Sequence, residues 1–127
     1  MSEYIMDLRK LLGNRPLMQA GASVMVVDSQ DRVLLEKRRD NGLWAYAGGA
    51  VELYESVEDA ARRELLEETG HIAEKMTLFG LFSGPEMAYT YPNGDRVSNL
   101  DAVYLCREYH GELRPQPDEV TELRQGV

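Results

Sequence analysis

Glu64, Glu67 and Glu68 stand at i, i+3 and i+4 near the end of the segment GAVELYESVEDAARRELLEETGH, residues 49–71, with Arg63 directly before them and Gly70 shortly after. If this stretch is helical, 3.6 residues per turn brings the three carboxylates within an arc of about 100°. Like charges at those spacings cost a helix about 0.2–0.5 kcal/mol per pair, so the cluster makes more sense with a cation over it. A hard divalent ion such as Mg2+ takes carboxylate and carbonyl oxygens and completes its shell with water and substrate phosphates. Diphosphate chemistry is the reading that follows.

The elements that must hold these groups can be read locally. Ser56 is a good N-cap, with Asp59 three positions on as the acidic partner of a capping box and Glu55 and Glu58 near the positive end of the helix dipole. Gly70 is the C-terminal stop, and Val57, Ala60, Ala61 and Leu65 form a small-residue face that can lie close against a sheet. Upstream, Ser2 caps a short packing helix through Tyr4, Ile5, Leu8, Leu11 and Leu12, ended by Gly13 and Pro16. Residues 17–28 and 32–38 read as strands joined by the turn 28–31, which predicts a hairpin. After the turn Asp40-Asn41-Gly42, the apolar stretch 43–47 runs into Gly48-Gly49. Residues 76–82, 86–91 and 96–107 read as strands, the last two joined through the turn 92–95. The polar tail from Gly111 predicts one or two short strands and a frayed end.

A chain of 127 residues suits a single core, and no apolar run approaches the roughly 20 residues of a membrane-spanning helix. The acidic, helix-patterned N-terminus is unlike a secretory signal, and the single cysteine, Cys106, permits no internal disulfide, so a soluble cytoplasmic protein is expected. Cys106, inside AVYLC, reads as a small buried hydrophobe. A net charge of −8 without any Lys/Arg block excludes a nucleic-acid duplex as partner, so a phosphate substrate must be held locally. Arg38, at a strand end, is placed for phosphate contact, and of the aromatics Trp44, Tyr46, Tyr89 and Tyr91, the first choices for stacking on a base are Tyr89 and Tyr91. His71 and His110 read as a surface residue at a helix end and a turn residue, outside the site.

The stretch from Gly49 resembles the Nudix box of MutT-like hydrolases: Gly, five residues, Glu, seven residues, Arg-Glu, an aliphatic, any residue, Glu-Glu, any residue, Gly, an aliphatic. Gly49, Glu55, Arg63, Glu64, Leu65, Glu67, Glu68 and Gly70 satisfy it, and the likeness extends over roughly residues 17–124. The chain departs from the pattern at His71, which replaces the final aliphatic, and at Ala47 and Tyr54, where family members often carry proline and glycine.

That resemblance implies an α/β fold, an α/β/α sandwich with a mixed central sheet, here without the usual C-terminal helix, with residues 1–16 as a helix and linker and 17–127 as the Nudix domain. A sheet face left bare would forfeit about 1.5–3 kcal/mol per large aliphatic, so the N-terminal helix or a second subunit in a homodimer is expected to cover it. The resemblance further implies Glu64 and Glu68 as metal ligands, Glu67 as a further ligand or outer partner, and the Gly48 carbonyl as an added donor. Arg63 would orient the glutamates, with Glu52 and Glu55 as its partners, and the cofactor would be Mg2+, with Mn2+ as an alternative. For the general base it leaves Glu64 and Glu119, with Asp118 and Glu122 behind them. The implied reaction is hydrolysis of a nucleoside diphosphate linked to another group. Pro85 and Tyr89 point to ADP-ribose and dinucleoside polyphosphates respectively, and the lack of added recognition modules favours an NTP or dNTP pyrophosphatase. The reading from another class is a nucleotide sensor that binds without cleaving.

Overall fold

The computed structural model describes residues 3–126. Helix α1 (Glu3–Leu12) ends as expected at Gly13, whose N–H reaches the Arg9 carbonyl at 2.8 Å, while the Ser2 cap lies outside the described residues. There follow β1 (Leu17–Val26), β2 (Leu34–Arg38), β3 (Trp44–Ala45), β4 (Ala47–Ala50), α2 (Val57–Thr69) and β5 (Ile72–Phe82). A 3-10 turn at Pro85–Met87 leads into β6 (Ala88–Thr90), β7 (Arg96–His110) and β8 (Val120–Gln125).

The strands form two sheets. The larger runs β4-β1-β7-β5, with β6 also on β7, and the smaller runs β3-β2-β8. β1 and β7 are parallel, from Leu17 opposite Val97 to Val26 opposite Cys106, whereas β4, β5 and β6 pair antiparallel, so the central sheet is mixed as an α/β fold of this kind requires. β6 and β7 form the expected hairpin through the turn at 92–95, where the Tyr91 N–H reaches the Asp95 carbonyl at 2.8 Å.

The hairpin expected from β1 and β2 is overturned. Only Val27 bridges Val33, after which the strands part into different sheets. The turn itself is there, with the Asp28 carboxylate accepting from the N–H groups of Gln30 and Arg32 at 2.9 Å. What excludes pairing is that β4 and β7 already occupy both edges of β1.

Ala22, Val24 and Val26 of β1 and Ala102, Tyr104 and Cys106 of β7 alternate toward α2, which buries Ala60, Ala61 and Leu65 against them. These small helix residues let the helix axis approach the sheet closely, which fixes the direction in which the acidic end points. Cys106 is buried as expected, and burial pushes its thiol pKa up. Leu34 brings β2 into the same core.

α1 is fastened at the start of β7. The buried Arg9 guanidinium donates to the carbonyls of Gly13, Arg15 and Arg96. It leaves Leu78, Phe79, Leu81 and Phe82 of β5 exposed, on a strand whose outer edge pairs with nothing among the described residues. Also among those residues, no α-helix follows α2, and no helix is long and apolar enough to cross a membrane.

Candidate metal centre and substrate cavity

α2 starts where its sequence says it should, with Ser56 Oγ accepting from the Asp59 N–H at 3.1 Å. It stops at Gly70 in the left-handed region (φ +83°), whose N–H returns to the Leu66 carbonyl. A Cβ at Gly70 would run into the Glu112 carbonyl oxygen, so only glycine lets the chain beyond β7 pass this close. That passing segment satisfies two carbonyls left over at the helix end: Arg114 N–H donates to Thr69 O at 2.7 Å and Gln116 N–H to Glu68 O at 3.2 Å. Gln116 then accepts the Glu119 N–H on its side chain at 2.8 Å, and Glu119 is delivered beside the helix.

One carboxylate oxygen from each of Glu64, Glu68 and Glu119 lies within 4.8 Å of the others. At an effective dielectric of about 20, two full charges that far apart repel by roughly 3.5 kcal/mol, which a bound cation would reverse. A divalent ion with Mg–O distances of about 2.0–2.1 Å holds oxygens up to about 4.2 Å apart, so binding would draw these donors, all hard oxygens, together by about 0.6 Å or less. Glu36 on β2 adds to the picture. It is 5% exposed, its carboxyl faces that of Glu68, and its Oε2 atom is buried with no hydrogen-bond partner among the described residues. An orphaned carboxylate oxygen beside such a cluster fits Mg2+ or Mn2+.

Burial, then the mutual contact of Glu36 and Glu68, pushes the Glu68 carboxyl well above its ordinary value. Burial likewise raises Glu36. The Gly48 N–H donates to Glu68 Oε1 at 3.0 Å, so what reaches Glu68 from that loop is a donor, next to the position whose carbonyl the sequence nominates as a ligand. At Gly49 a Cβ would sit 2.6 Å from the Glu64 carboxyl carbon, so the second glycine is the space in which Glu64 lies.

Arg63 holds the arrangement from outside. Its Nε and Nη2 donate to the two Glu55 oxygens at 2.8 and 2.9 Å, Nη1 to Glu64 Oε1 at 2.8 Å, and Nη2 also to the Ala50 carbonyl at 3.1 Å. The guanidinium lowers the Glu55 carboxyl pKa. Glu55, rather than Glu52, takes the fork; Glu52 donates its backbone N–H to Glu55 Oε1 at 3.1 Å. Glu67 is 58% exposed on its side chain and stands 3.6 Å from Arg63, in the wall of the same cavity but outside the close trio.

Two chambers share Arg38, Gly48 and Gly49 in their walls. One, of about 610 Å³, contains the carboxylates and is also lined by Tyr91, Asp118 and Glu119. The other, of about 470 Å³, is lined by Ser23, Trp44, Tyr46, Met87, Asn99 and Asp101 among others. Arg38 borders both, bound bidentately to Asp40 at 2.7 and 3.0 Å. Tyr89 packs edge-on to Tyr91 and accepts from Asn41 Nδ2 at 3.1 Å, so Tyr91 faces the cavity and Tyr89 stands behind it. Glu122 pairs with Arg124 at 3.3 Å.

Sequence reasoning missed Glu36, Ser23, Asn99 and Asp101. For the last three the signal is a period of two: Gln19 and Ser23, and again Asn99 and Asp101, fall on one face while apolar Ala20, Ala22, Leu100 and Ala102 alternate with them along strands of the sheet interior. Asp101 accepts from Ser23 Oγ at 3.0 Å, and burial raises its carboxyl pKa. The surface placement of His71 is also overturned. The left-handed turn at Gly70 folds its ring inward, where it is buried, contacts the Gly111 carbonyl through Nδ1 at 2.9 Å and lies 4.7 Å from the Tyr109 ring. Burial lowers its pKa, and it fills the place of the aliphatic residue in the box. His110, the last residue of β7, pairs with Glu74 at 2.8 Å.

The sequence model described as NUDIX domain matches residues 17–125. A MutT-like protein of Streptomyces ambofaciens is 39% identical over 117 residues, which cover 84% of this chain and 70% of that protein. An ADP-ribose pyrophosphatase of Methanocaldococcus jannaschii is 35% identical over 96 residues, covering 73% of this chain and 53% of that one. The chain spans about half the length of curated relatives it matches. Among solved structures, a MutT NUDIX hydrolase from Burkholderia pseudomallei superimposes with a TM-score of 0.70 at 32% identity, over 84% of this chain and 81% of that one.

Proposed function

This chain belongs to the NUDIX domain family, and on that footing we propose that it is a metal-dependent hydrolase of the diphosphate bond in a nucleoside diphosphate linked to another group. The observation that carries this reading is the convergence of Glu64, Glu68 and Glu119 within 4.8 Å beside a cavity large enough for a nucleoside.

Bound Mg2+ or Mn2+ would neutralise charge on the phosphate oxygens and acidify a water. Glu64, Glu68 and Glu119 would hold the ion, with Glu67 and the Gly48 carbonyl as further donors. Arg63 keeps Glu64 in one rotamer, and the Gly48 N–H does the same for Glu68. The water's proton goes to Glu64 or Glu119, whichever oxygen the ion leaves free. Arg38, at the boundary of the two chambers, is placed to contact phosphate once it exchanges Asp40 for substrate. The base occupies the chamber with Trp44 and Tyr46, and Tyr91 lines the side next to the carboxylates.

The finer reading is an NTP or dNTP pyrophosphatase, supported by likeness to a Bacillus subtilis protein named "Putative 8-oxo-dGTP diphosphatase", 44% identical over 66 residues. Likeness to an ADP-ribose pyrophosphatase supports the alternative. The test is a panel of nucleoside triphosphates, ADP-ribose, nucleotide sugars and dinucleoside polyphosphates with Mg2+ or Mn2+, scored for phosphate and pyrophosphate release. Pyrophosphate release with kcat/KM highest on a triphosphate supports the reading. Nucleotide binding with no turnover of any compound replaces it with a sensor. A homodimer belongs to the same proposal: the open β5 edge with its exposed Leu78, Phe79, Leu81 and Phe82 suits antiparallel pairing with a second copy.

A further inference from the structure

The acidic side chains at the metal centre come from two parts of the fold. Glu64 and Glu68 belong to α2, while Glu119 directly precedes β8 and Glu36 lies in the middle of β2, both in the smaller sheet. Glu36 is the unexplained member. It follows the buried Leu34 on the inward row of β2, and its neighbours across the sheet, Ala45 and Leu123, offer its carboxyl no polar group. Its Oε2 is sealed from water without a hydrogen-bond partner among the described residues. The groups that act on it are three more carboxyls, Glu68 in contact and Glu64 and Glu119 nearby, and one cation, Arg38, whose guanidinium is engaged bidentately by Asp40. It opens toward the carboxylate chamber, whose wall it shares with Glu64, Glu67, Glu68 and Glu119.

We propose that Glu36 is a further ligand of the divalent ion, so that the bound ion ties the smaller sheet to α2. The inference rests on the metal-dependent reading given above and assigns the ion a structural task besides chemistry. The protein itself joins these parts through Leu34 and Leu123 at the core, the Val27–Val33 bridge, the Asn41–Tyr89 hydrogen bond, the 112–119 segment and the passage of β2 beside β4. An ion held by Glu36 and Glu119 on one side and by Glu64 and Glu68 on the other closes the gap directly. Loading the metal would then stiffen β2, which carries Arg38 and borders the base chamber through Leu35, together with β8 paired to it.

A competing role is that Glu36 only donates a hydrogen bond to Glu68 as a neutral acid. Glu36→Gln separates the two, because an amide keeps the donor but gives up the anionic oxygen. Mn2+ binding to the intact protein is measured by calorimetry and electron paramagnetic resonance, with amide hydrogen exchange over residues 34–38 and 120–125. A ligand predicts Mn2+ binding at least about 10-fold weaker in Glu36→Gln, and exchange that slows on Mn2+ addition in the wild type but not in the variant. Glu36→Leu serves as a second variant: the metal-free protein should melt no lower than wild type, and the Mn2+-induced rise in Tm at a fixed Mn2+ concentration should be smaller than in wild type. Glu36→Gln binding Mn2+ within about twofold of wild type, with the same protection of β2 and β8, overturns the assignment. Wild-type protein that takes up no Mn2+ overturns both this inference and the proposed function. Mn2+ uptake that depends on Glu36, with no hydrolysis of any nucleotide, upholds the inference and sinks the function alone.

Discussion

Arg63 is the residue through which the site is set, because its fork closes on Glu55 while its remaining nitrogen fixes Glu64. Arg63→Ala should weaken Mg2+ binding and turnover by about 10- to 100-fold, the usual cost of losing a group that orients metal ligands. A metal titration of the variant checks this, and unchanged affinity would show Glu64 to be held by other means. Glu36 and Glu68 carry a pH signature. Their carboxyls titrate above the ordinary value of 4.5, so above that pH the metal-free folded state retains protons that the unfolded chain has released. Its stability from these groups is fully present below 4.5 and declines as pH rises toward neutrality. His71, whose pKa is lowered, acts in the opposite direction below its ordinary value of 6.5. Denaturation midpoints in chelator, taken as wild type minus Glu36→Gln from pH 5 to 7, therefore isolate the carboxyl contribution. The difference should fall as pH rises; a flat or rising difference would contradict the burial of an ionisable pair.

At the scale of elements, α2 was legible in full because every signal for it is local: Ser56, the small-residue face and Gly70 lie within fifteen positions of one another. The strand partners were not. The parallel pairing of β1 with β7 joins positions about eighty residues apart, and no turn in the sequence marks it, whereas the turn at 28–31 marks a reversal without naming the partner. Glu119 was reachable only by resemblance, since its delivery depends on the segment that docks on the carbonyls of Glu68 and Thr69. That docking yields a prediction. Gly70→Ala, which meets both a left-handed φ and the Glu112 carbonyl, should destabilise the protein by at least about 2 kcal/mol and displace Glu119. Urea denaturation measures the first effect and metal affinity the second. Tyr54 is the converse case: it is fully exposed at φ +65°, so Tyr54→Gly should leave stability unchanged or raise it by up to about 1 kcal/mol in the same assay.

Across the whole molecule, the two sheets divide the labour. The mixed sheet packs α2 and aims its acidic end, and the smaller sheet supplies Glu36, Arg38 and Trp44. A chain of net charge −8 repels polyphosphates at long range, so recognition depends on what is gathered in this one cleft. The open apolar edge of β5 leads to a prediction at the same scale: sedimentation equilibrium should give a dimer that Leu81→Glu converts to a monomer, and a wild-type monomer at micromolar concentration would refute the pairing. The central claim, that Glu64, Glu68 and Glu119 form a divalent-cation site, is tested most directly by calorimetric titration of Mg2+ and Mn2+ into wild type and Glu68→Gln, with and without nucleotide. Saturable uptake by the wild type, lost in Glu68→Gln while circular dichroism is unchanged, is the predicted result. No uptake by the wild type, or equal uptake by the variant, would contradict it.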